Sequence, residues 1–179
     1  MLNVRSMIRF LLRRPNALRS MTARLAVLAL AATGAAFLVW SAVIHLMLWS
    51  DGYSGISVIG PLFLAQGIGC IVLGVAIVAF RSLALLAAGA VAGAATAVGL
   101  LLTVHGGLFG YTESLSVPYA TLSLAVEFTA AFVLLLATGL LALARPAAAA
   151  GSPRREYPQG ARFRVPGQFR VPGHQRAGR

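Results

Sequence analysis

Four long apolar stretches dominate this chain and leave it few ways to fold. Each exceeds the roughly 20 residues that a helix needs to cross about 30 Å of hydrocarbon at ~1.5 Å per residue. The stretches do not alternate polar and apolar residues, as the strands of a membrane barrel do. We therefore predict an all-α membrane protein, a four-helix transmembrane bundle with short loops. The predicted spans are residues 25–48, 58–80, 83–104 and 118–143.

The composition fits a chain whose solvent is mostly lipid. Of the 179 residues, 59% are hydrophobic and 11% are charged, whereas soluble domains average about 25% charged residues. The single cysteine, Cys70, excludes an internal disulfide and any paired-cysteine metal motif. The sequence contains no phosphate-binding loop, zinc-ligand spacing or nucleophile–base pair. We therefore expect no enzymatic activity, no cofactor and no metal.

Arginine determines the predicted orientation. All fifteen basic residues are arginine, with six in residues 1–24 and eight from residue 145 onward. The loops after the first and third spans contain none, and Arg81 lies in the second loop. Because cytoplasmic segments of membrane proteins are enriched in basic residues, we predict a multi-pass plasma-membrane protein with both termini cytoplasmic.

The two ends of the chain are predicted to be separate segments. Residues 1–24 are basic, and their arginine spacing up to Pro15 fits an amphipathic helix in the inner headgroup layer. The alternatives are a solvated leader or a translation start at Met21. Residues 145–179 are rich in arginine, proline and glycine, and we expect them to be disordered. Both segments should attract anionic lipid headgroups, and nucleic acid is not an expected partner because no reading motif accompanies the charge.

A few polar residues in the spans are the candidates for function. His45, Gln66 and Glu127 come from three spans, and all fall in the predicted outer half of the membrane. A lipid-facing carboxylate would cost at least about 2.5–3.5 kcal/mol, so we expect Glu127 to face the bundle interior. It either titrates or binds a ligand in an outward-opening cavity, or it forms an interhelical hydrogen bond to Gln66, His45 or Ser41. His105 completes this candidate polar cluster, and with His45 it would offer two axial ligands to a haem.

The third span also contains a stripe of small residues at four-residue spacing. Gly89, Gly93 and Ala97 would allow another helix to approach closely. That helix belongs either to the same chain or to a second copy in a homo-oligomer.

Three sequence motifs lie at the predicted outer ends of the spans. They read HLMLW at 45–49, GYSGISVIGPLFL at 52–64 and LFGYTE at 108–113, followed by Glu127. This pattern resembles a family of uncharacterised four-helix integral membrane proteins of actinobacteria. The resemblance covers roughly residues 25–140 and implies the fold and the membrane location, but it brings no known activity. Ser54 and Ser57 depart from the family pattern, which has arginine and proline at these positions.

The residues that carry the resemblance define a candidate outer-face motif. Its members are Trp49, Tyr53, Phe63, Phe109 and Glu113. Because the matching residues cluster at the outer ends of the helices, a functional site is expected to face outward.

Three functions are compatible with the sequence. We expect first a small accessory or scaffold protein that engages membrane-protein partners, or further copies of itself, through its helices. The alternative is a transporter-like bundle, or one that binds lipid or a small ligand, using the polar cluster around Glu127. A haem or redox membrane protein is the third. A cavity that reaches Glu127 would favour ligand binding, whereas a sealed bundle with an exposed small-residue face would favour the scaffold.

Overall fold

The structure is a computed structural model that describes residues 4–144, and over this range it confirms the predicted all-α fold. Four helices are long and apolar enough to cross a membrane, as a multi-pass membrane protein requires. The predicted disordered tail at 145–179 lies outside the described residues. The α-helices are α1 (Val4–Leu11), α2 (Met21–Ser50), α3 (Ile59–Phe80), α4 (Leu83–His105) and α5 (Ala120–Leu143).

The four long helices form an antiparallel bundle with two different ends. We name the end with the α2–α3 and α4–α5 connections the distal end, and the end with the α3–α4 turn the proximal end. Helix α2 packs against both α3 and α5, and α4 packs against α5, whereas α3 and α4 contact each other sparsely. The face between α3 and α4 is therefore the most loosely packed face of the bundle.

The first span is longer than predicted at both ends. Helix α2 begins at Met21, because the Ser20 hydroxyl accepts a hydrogen bond from the Ala23 N–H (3.4 Å) and caps the helix before the apolar stretch starts. At its other end the helix continues through Trp49 and ends at Ser50, two residues beyond the predicted span. The bounds of α3 and α4 differ from the predicted spans by one residue.

Helix α5 begins two residues later than predicted. The Ala120 N–H donates to the Val117 carbonyl (3.2 Å), and Tyr119 between them has φ 68° and ψ −8°. Proline at the second position and a left-handed residue at the third are characteristic of a type II turn. Pro118 therefore belongs to the turn before α5, and its predicted place in the first helical turn is wrong.

The small-residue stripe of α4 is buried inside the bundle. Gly89, Gly93 and Ala97 are all buried. A Cβ atom at Gly93 would lie 3.0 Å from the Glu127 carbonyl oxygen and 3.1 Å from the Ala131 nitrogen, both in the backbone of α5. The absence of a side chain at Gly93 thus allows α4 and α5 to approach closely within the chain.

The segment before α2 is fastened to the proximal end of the bundle. The Arg13 carbonyl accepts from the Leu83 N–H (2.9 Å), and the Arg13 guanidinium donates to the Ala142 carbonyl (3.1 Å). Arg13 therefore pairs backbone groups at the start of α4 and near the end of α5 that the helices leave unpaired. Pro15 and Leu18 are buried as well. This part of the N-terminal segment is packed rather than solvated, whereas Val4–Leu11 contributes no buried residue.

Val58, in the α2–α3 connection, has a strained backbone. Its φ is 68° and its ψ is −49°, and the flanking Ile59 N–H donates to the Ser57 carbonyl (2.8 Å), which closes a γ-turn. A turn of this hand is rare, and a β-branched residue tolerates it poorly. The strain lies directly before α3, the helix that lines one wall of the cavity described below.

Val58→Gly is expected to stabilise the protein. Glycine would relieve about 1–3 kcal/mol of backbone strain against a flexibility cost of about 0.5–1 kcal/mol, so the free energy of unfolding should rise by about 1 kcal/mol. The measurement is denaturant unfolding in detergent micelles. Ile56→Gly is the control, because Ile56 has an ordinary extended backbone (φ −82°) and should lose stability. A Val58→Gly protein less stable than the wild type would contradict the strained turn.

Candidate functional site

The distal half of the bundle contains a cavity of about 350 Å³. Pockets that hold small molecules occupy roughly 300–1,000 Å³ and are mostly apolar with a few polar groups, and this cavity fits both criteria. It lies in the distal part of the bundle, and residues of all four long helices line it, with His45 on α2 and Glu127 on α5. Its polar and aromatic lining residues are His45, Tyr53, Phe63, Gln66, Thr96, Thr103, Tyr111, Glu113, Ser123 and Glu127.

Glu127 occupies the inner wall of the cavity. The residue is 1% exposed. The Ser123 hydroxyl, one turn earlier on the same face of α5, donates to Oε1 (2.8 Å), and His45 Nε2 lies 3.6 Å from the same oxygen. The Ser41 hydroxyl also approaches the carboxylate, but Oε2 has no hydrogen-bond partner among the described residues. A buried polar atom without a partner is costly, so Oε2 is a free hydrogen-bonding position on a residue that lines the cavity.

The proton on His45 Nδ1 determines the chemistry of the His45–Glu127 pair. Nδ1 lies 2.8 Å from the Ser41 carbonyl oxygen, and because a carbonyl only accepts, Nδ1 carries a proton. Nε2 then faces Glu127 Oε1 either as a lone pair or as a second N–H. If both Nε2 and the carboxylate lacked a proton, two lone pairs would face and repel each other. One proton, either on Nε2 or on the carboxyl group, removes this repulsion. The pair is therefore a buried acid–base couple that shares one proton.

Gln66 lines the same cavity, but its amide nitrogen bonds elsewhere. Gln66 Nε2 donates to Thr96 Oγ1 (2.6 Å) and to Cys70 Sγ (3.2 Å), and the Thr96 hydroxyl donates to the Ala92 carbonyl (2.7 Å). This bridge joins α3 to α4 at mid-height and forms the base of the cavity. Of the partners predicted for Glu127, His45 and Ser41 approach the carboxylate, whereas the Gln66 amide nitrogen bonds to Thr96 and Cys70.

A tight hairpin shapes the distal side of the cavity. Leu108 and Tyr111 exchange two backbone hydrogen bonds (2.7 and 2.9 Å). Phe109 (φ 53°) and Gly110 (φ 78°) occupy the turn between them, and left-handed backbone at both positions is what a type I′ turn requires. The turn leaves Phe109 63% exposed at its tip and places Tyr111 in the cavity lining.

The Glu113 carboxylate accepts hydrogen bonds from several groups at the distal end of the cavity. The Tyr53 and Tyr111 hydroxyls donate to its Oε2 (2.8 and 2.6 Å), and the Ser114 N–H donates to its Oε1 (3.0 Å). The Glu113 N–H donates to the Thr103 carbonyl (3.2 Å), which fastens the loop to α4. We name Tyr53, Glu113 and Tyr111 the cap. Both carboxylate oxygens of Glu113 are hydrogen-bonded, whereas Glu127 has a partner for Oε1 but none for Oε2 among the described residues.

Aromatic contacts connect the cap to the His45–Glu127 pair. Phe63 stacks on Tyr53 with ring centroids 5.1 Å apart, and it meets the His45 ring edge-on at 5.0 Å. Burial raises the pKa of Tyr53 and that of Tyr111, and the hydrogen bonds to Glu113 raise both further. At neutral pH the two hydroxyls are therefore protonated donors, as their bonds to Glu113 require.

No protein-family model, curated protein or solved structure matches this chain. A four-helix bundle supports many activities, so the function of this chain is inferred from the residues of the site.

Three of the predicted site residues lie away from the cavity. His105 is exposed at the distal end of α4, and its Nδ1 lies 2.9 Å from the Leu101 carbonyl of the same helix. His45 is buried in the bundle, so the two histidines considered as haem ligands occupy different environments. Trp49 is half-buried at the end of α2, and Phe109 is exposed at the hairpin tip; neither lines the cavity.

The structure adds Thr96, Ser123 and Tyr111 to the predicted site residues. Thr96 hydrogen-bonds to a carbonyl of its own helix, as threonines in apolar helices commonly do, so its sequence context gives no signal of a second partner. Ser123 lies four residues before Glu127, which is a usable signal for a side-chain contact on a helix. Tyr111 lies two residues before Glu113 and follows a Phe-Gly pair that forms the turn, which is the local pattern that could have identified it.

Proposed function

We propose that this membrane protein binds a small ligand in its distal cavity, with Glu127 as the anchoring group. The observation that supports this most is an unpaired carboxylate oxygen, on a residue only 1% exposed, at the wall of a cavity of about 350 Å³. Buried polar atoms are almost always paired, and within residues 4–144 the other buried side-chain atoms left unpaired are Nε and Nη2 of Arg13, at the opposite end of the bundle. This favours ligand binding over the scaffold role, because the small-residue stripe that a scaffold would expose is buried.

Filling the cavity provides a direct test. Gly99 lines the cavity, and no atom lies within 4 Å of a Cβ built there, so Gly99→Leu should place its side chain in the ligand's space without a clash. Gly69 on α3 is equally open but does not line the cavity, so Gly69→Leu is the matched control. All three proteins would be purified from native membranes in mild detergent and analysed for bound small molecules by mass spectrometry.

We expect at least one small molecule to accompany the wild type and Gly69→Leu, and to be lost from Gly99→Leu. Both variants should elute as the wild type does in size-exclusion chromatography. Identical small-molecule profiles for the three proteins would reject the cavity as a ligand site.

We further propose that the distal end faces the outside of the cell and that both termini are cytoplasmic. The charge distribution supports this, because Asp51 and Glu113 are at the distal end, whereas Arg13 and Arg81 are at the proximal end. The exposed apolar side chains of α1, including Ile8 and Phe10, support its position in the inner headgroup layer, next to anionic lipid. Membership of the actinobacterial family stays a prediction.

Cysteine labelling in intact cells tests this orientation. Ser54 and Ser116 are exposed at the distal end, so Ser54→Cys and Ser116→Cys should react with a membrane-impermeant maleimide. Ser152→Cys, outside the described residues, should react only after the cells are permeabilised. The native Cys70 is buried and should give little background. Labelling of Ser152→Cys in intact cells would reverse the proposed orientation.

A further inference from the structure

The charges that line the cavity favour a cationic ligand. Glu113 and Glu127 both line it, and none of the arginines within residues 4–144 does. Glu113 is already occupied by two tyrosine hydroxyls and a backbone N–H. The unpaired Oε2 of Glu127 is therefore the position at which a ligand group can pair. An ammonium group suits it because an N–H donor on a cation forms the stronger, charge-assisted hydrogen bond to a carboxylate.

Aromatic rings line the same cavity as Glu127. Phe63 contacts the His45 ring edge-on, at 5.0 Å between centroids, and it stacks on Tyr53 of the cap. An ammonium group near aromatic faces gains further stabilisation from their quadrupoles. An anionic ligand would meet a carboxylate and electron-rich rings with no arginine opposite them, so its binding is disfavoured on both counts.

The most loosely packed side of the cavity is the one between α3 and α4. The Gln66–Thr96 bridge joins α3 to α4 at the base of the cavity, and the two helices contact each other only sparsely. Leu62 on α3 and Ala95 on α4 both line the cavity and are both exposed on the bundle surface, Leu62 by 46%. At the distal end, in contrast, the cap and its hydrogen bonds cover the cavity. The apolar exit therefore lies between α3 and α4, at a level where a membrane-spanning bundle meets hydrocarbon.

We infer that the ligand is a lipophilic amine whose head group binds Glu127 beneath the cap and whose alkyl chain passes between α3 and α4 into the bilayer. This inference rests on the proposed function and adds to it the chemical class of the ligand and its route of access. An ammonium group at Glu127 takes the place of the proton that the carboxylate shares with His45, so a positive charge selects the head group. The gap between α3 and α4 accommodates the chain.

The head group is tested with three probes that share a ten-carbon chain: decylamine, decanol and decanoate. The full-length protein would be reconstituted in phosphatidylcholine nanodiscs, and binding measured by calorimetry against protein-free nanodiscs. We expect decylamine to bind best and its Kd to rise roughly 10- to 100-fold in Glu127→Gln, the effect of losing a charge-assisted hydrogen bond. Asp51→Asn removes an exposed distal carboxylate and should leave the Kd within about twofold, because a surface charge contributes little.

Two results would overturn the assignment of the head group. One is equal binding of decanoate and decylamine, and the other is a decylamine Kd that Glu127→Gln leaves unchanged. If Glu127→Gln fails to fold, Gly99→Leu replaces it, since the cavity-filling side chain should also abolish decylamine binding.

The lateral opening is tested with amines of increasing chain length, from hexylamine to octadecylamine. A sealed cavity of about 350 Å³ would exclude the longer chains, whereas a chain that leaves between α3 and α4 meets no limit. We expect tetradecylamine and octadecylamine to retain the sensitivity to Glu127→Gln that decylamine shows. A sharp loss of that sensitivity beyond a particular length would overturn the lateral opening.

The result of the mass spectrometry test separates this inference from the proposed function. If Gly99→Leu loses a bound molecule but no amine binds the wild type, the cavity is a ligand site and the amine assignment is wrong. If no bound molecule is lost and no amine binds, both proposals are wrong.

Discussion

Gly93→Leu is expected to destabilise the bundle strongly, because its side chain would meet backbone that cannot move aside. The Cβ alone would lie 3.0 Å from the Glu127 carbonyl oxygen and 3.1 Å from the Ala131 nitrogen. Both atoms belong to the backbone of α5 and cannot rotate away, so a leucine side chain would force the two helices apart. Overpacking of a tight core costs about 1–3 kcal/mol and occasionally more. We expect a loss of about 3 kcal/mol in the free energy of unfolding.

The measurement is unfolding of purified protein in mixed micelles titrated with dodecyl sulfate. Gly139→Leu on α5 is the matched control, because no atom lies within 4 Å of a Cβ at Gly139, and it should change stability by less than about 0.5 kcal/mol. If Gly93→Leu is no less stable than Gly139→Leu, then α4 and α5 do not approach as closely as described. Since Glu127 belongs to the contacted backbone, Gly93→Leu should also weaken ligand binding, even at temperatures where the protein stays folded.

The spans were predictable because their hydropathy and length depend on the bilayer and not on the details of packing. Four apolar stretches long enough to cross a membrane were sufficient to predict four helices. The start of α5 was not predictable in the same way. Pro118 is tolerated both in a first helical turn and in the second position of a type II turn, and the left-handed backbone of Tyr119 decides between them. A tyrosine carries no sequence signal for that conformation, which usually requires glycine or asparagine.

The sequence predicted how deep the candidate site residues lie in the membrane, but not which of their side chains contact each other. Counting residues from the span ends places His45, Gln66 and Glu127 at the same end of the bundle, and all three line one cavity. Depth does not specify which side chains meet, because that depends on how the helices pack. Helix α2 packs against α5 and brings His45 to Glu127, whereas Gln66 on α3 bonds across to Thr96 on α4. Aligned depths therefore predicted the cavity better than they predicted its hydrogen bonds.

Removing both members of the His45–Glu127 pair is expected to cost less stability than the sum of the two single losses. Glu127→Leu leaves His45 Nε2 and the Ser123 hydroxyl without the carboxylate that they face, which should lower the free energy of unfolding by about 1–3 kcal/mol. His45→Leu removes the ring that faces the buried carboxylate and leaves it with the Ser123 and Ser41 hydroxyls, with a loss of similar size. Replacing a whole buried polar pair with apolar side chains is often neutral or stabilising. The double variant should therefore be more stable than the sum of the single losses predicts.

A double-mutant cycle in the same micelle titration measures this coupling, and we expect an interaction energy of about 0.5–3 kcal/mol. Strictly additive losses would mean that the two side chains do not interact in the folded protein.

The same variants also separate the role of Glu127 in stability from its role in ligand binding. If Glu127 anchors a ligand, the double variant should fold well but fail to retain the molecule that accompanies the wild type. A double variant that still retains it would move the anchoring group away from Glu127, even if the coupling energy were as large as expected. Glu127→Gln, which keeps the side-chain shape and one carbonyl acceptor, should then fold nearly as well as the wild type and lose the ligand, because only the negative charge is removed.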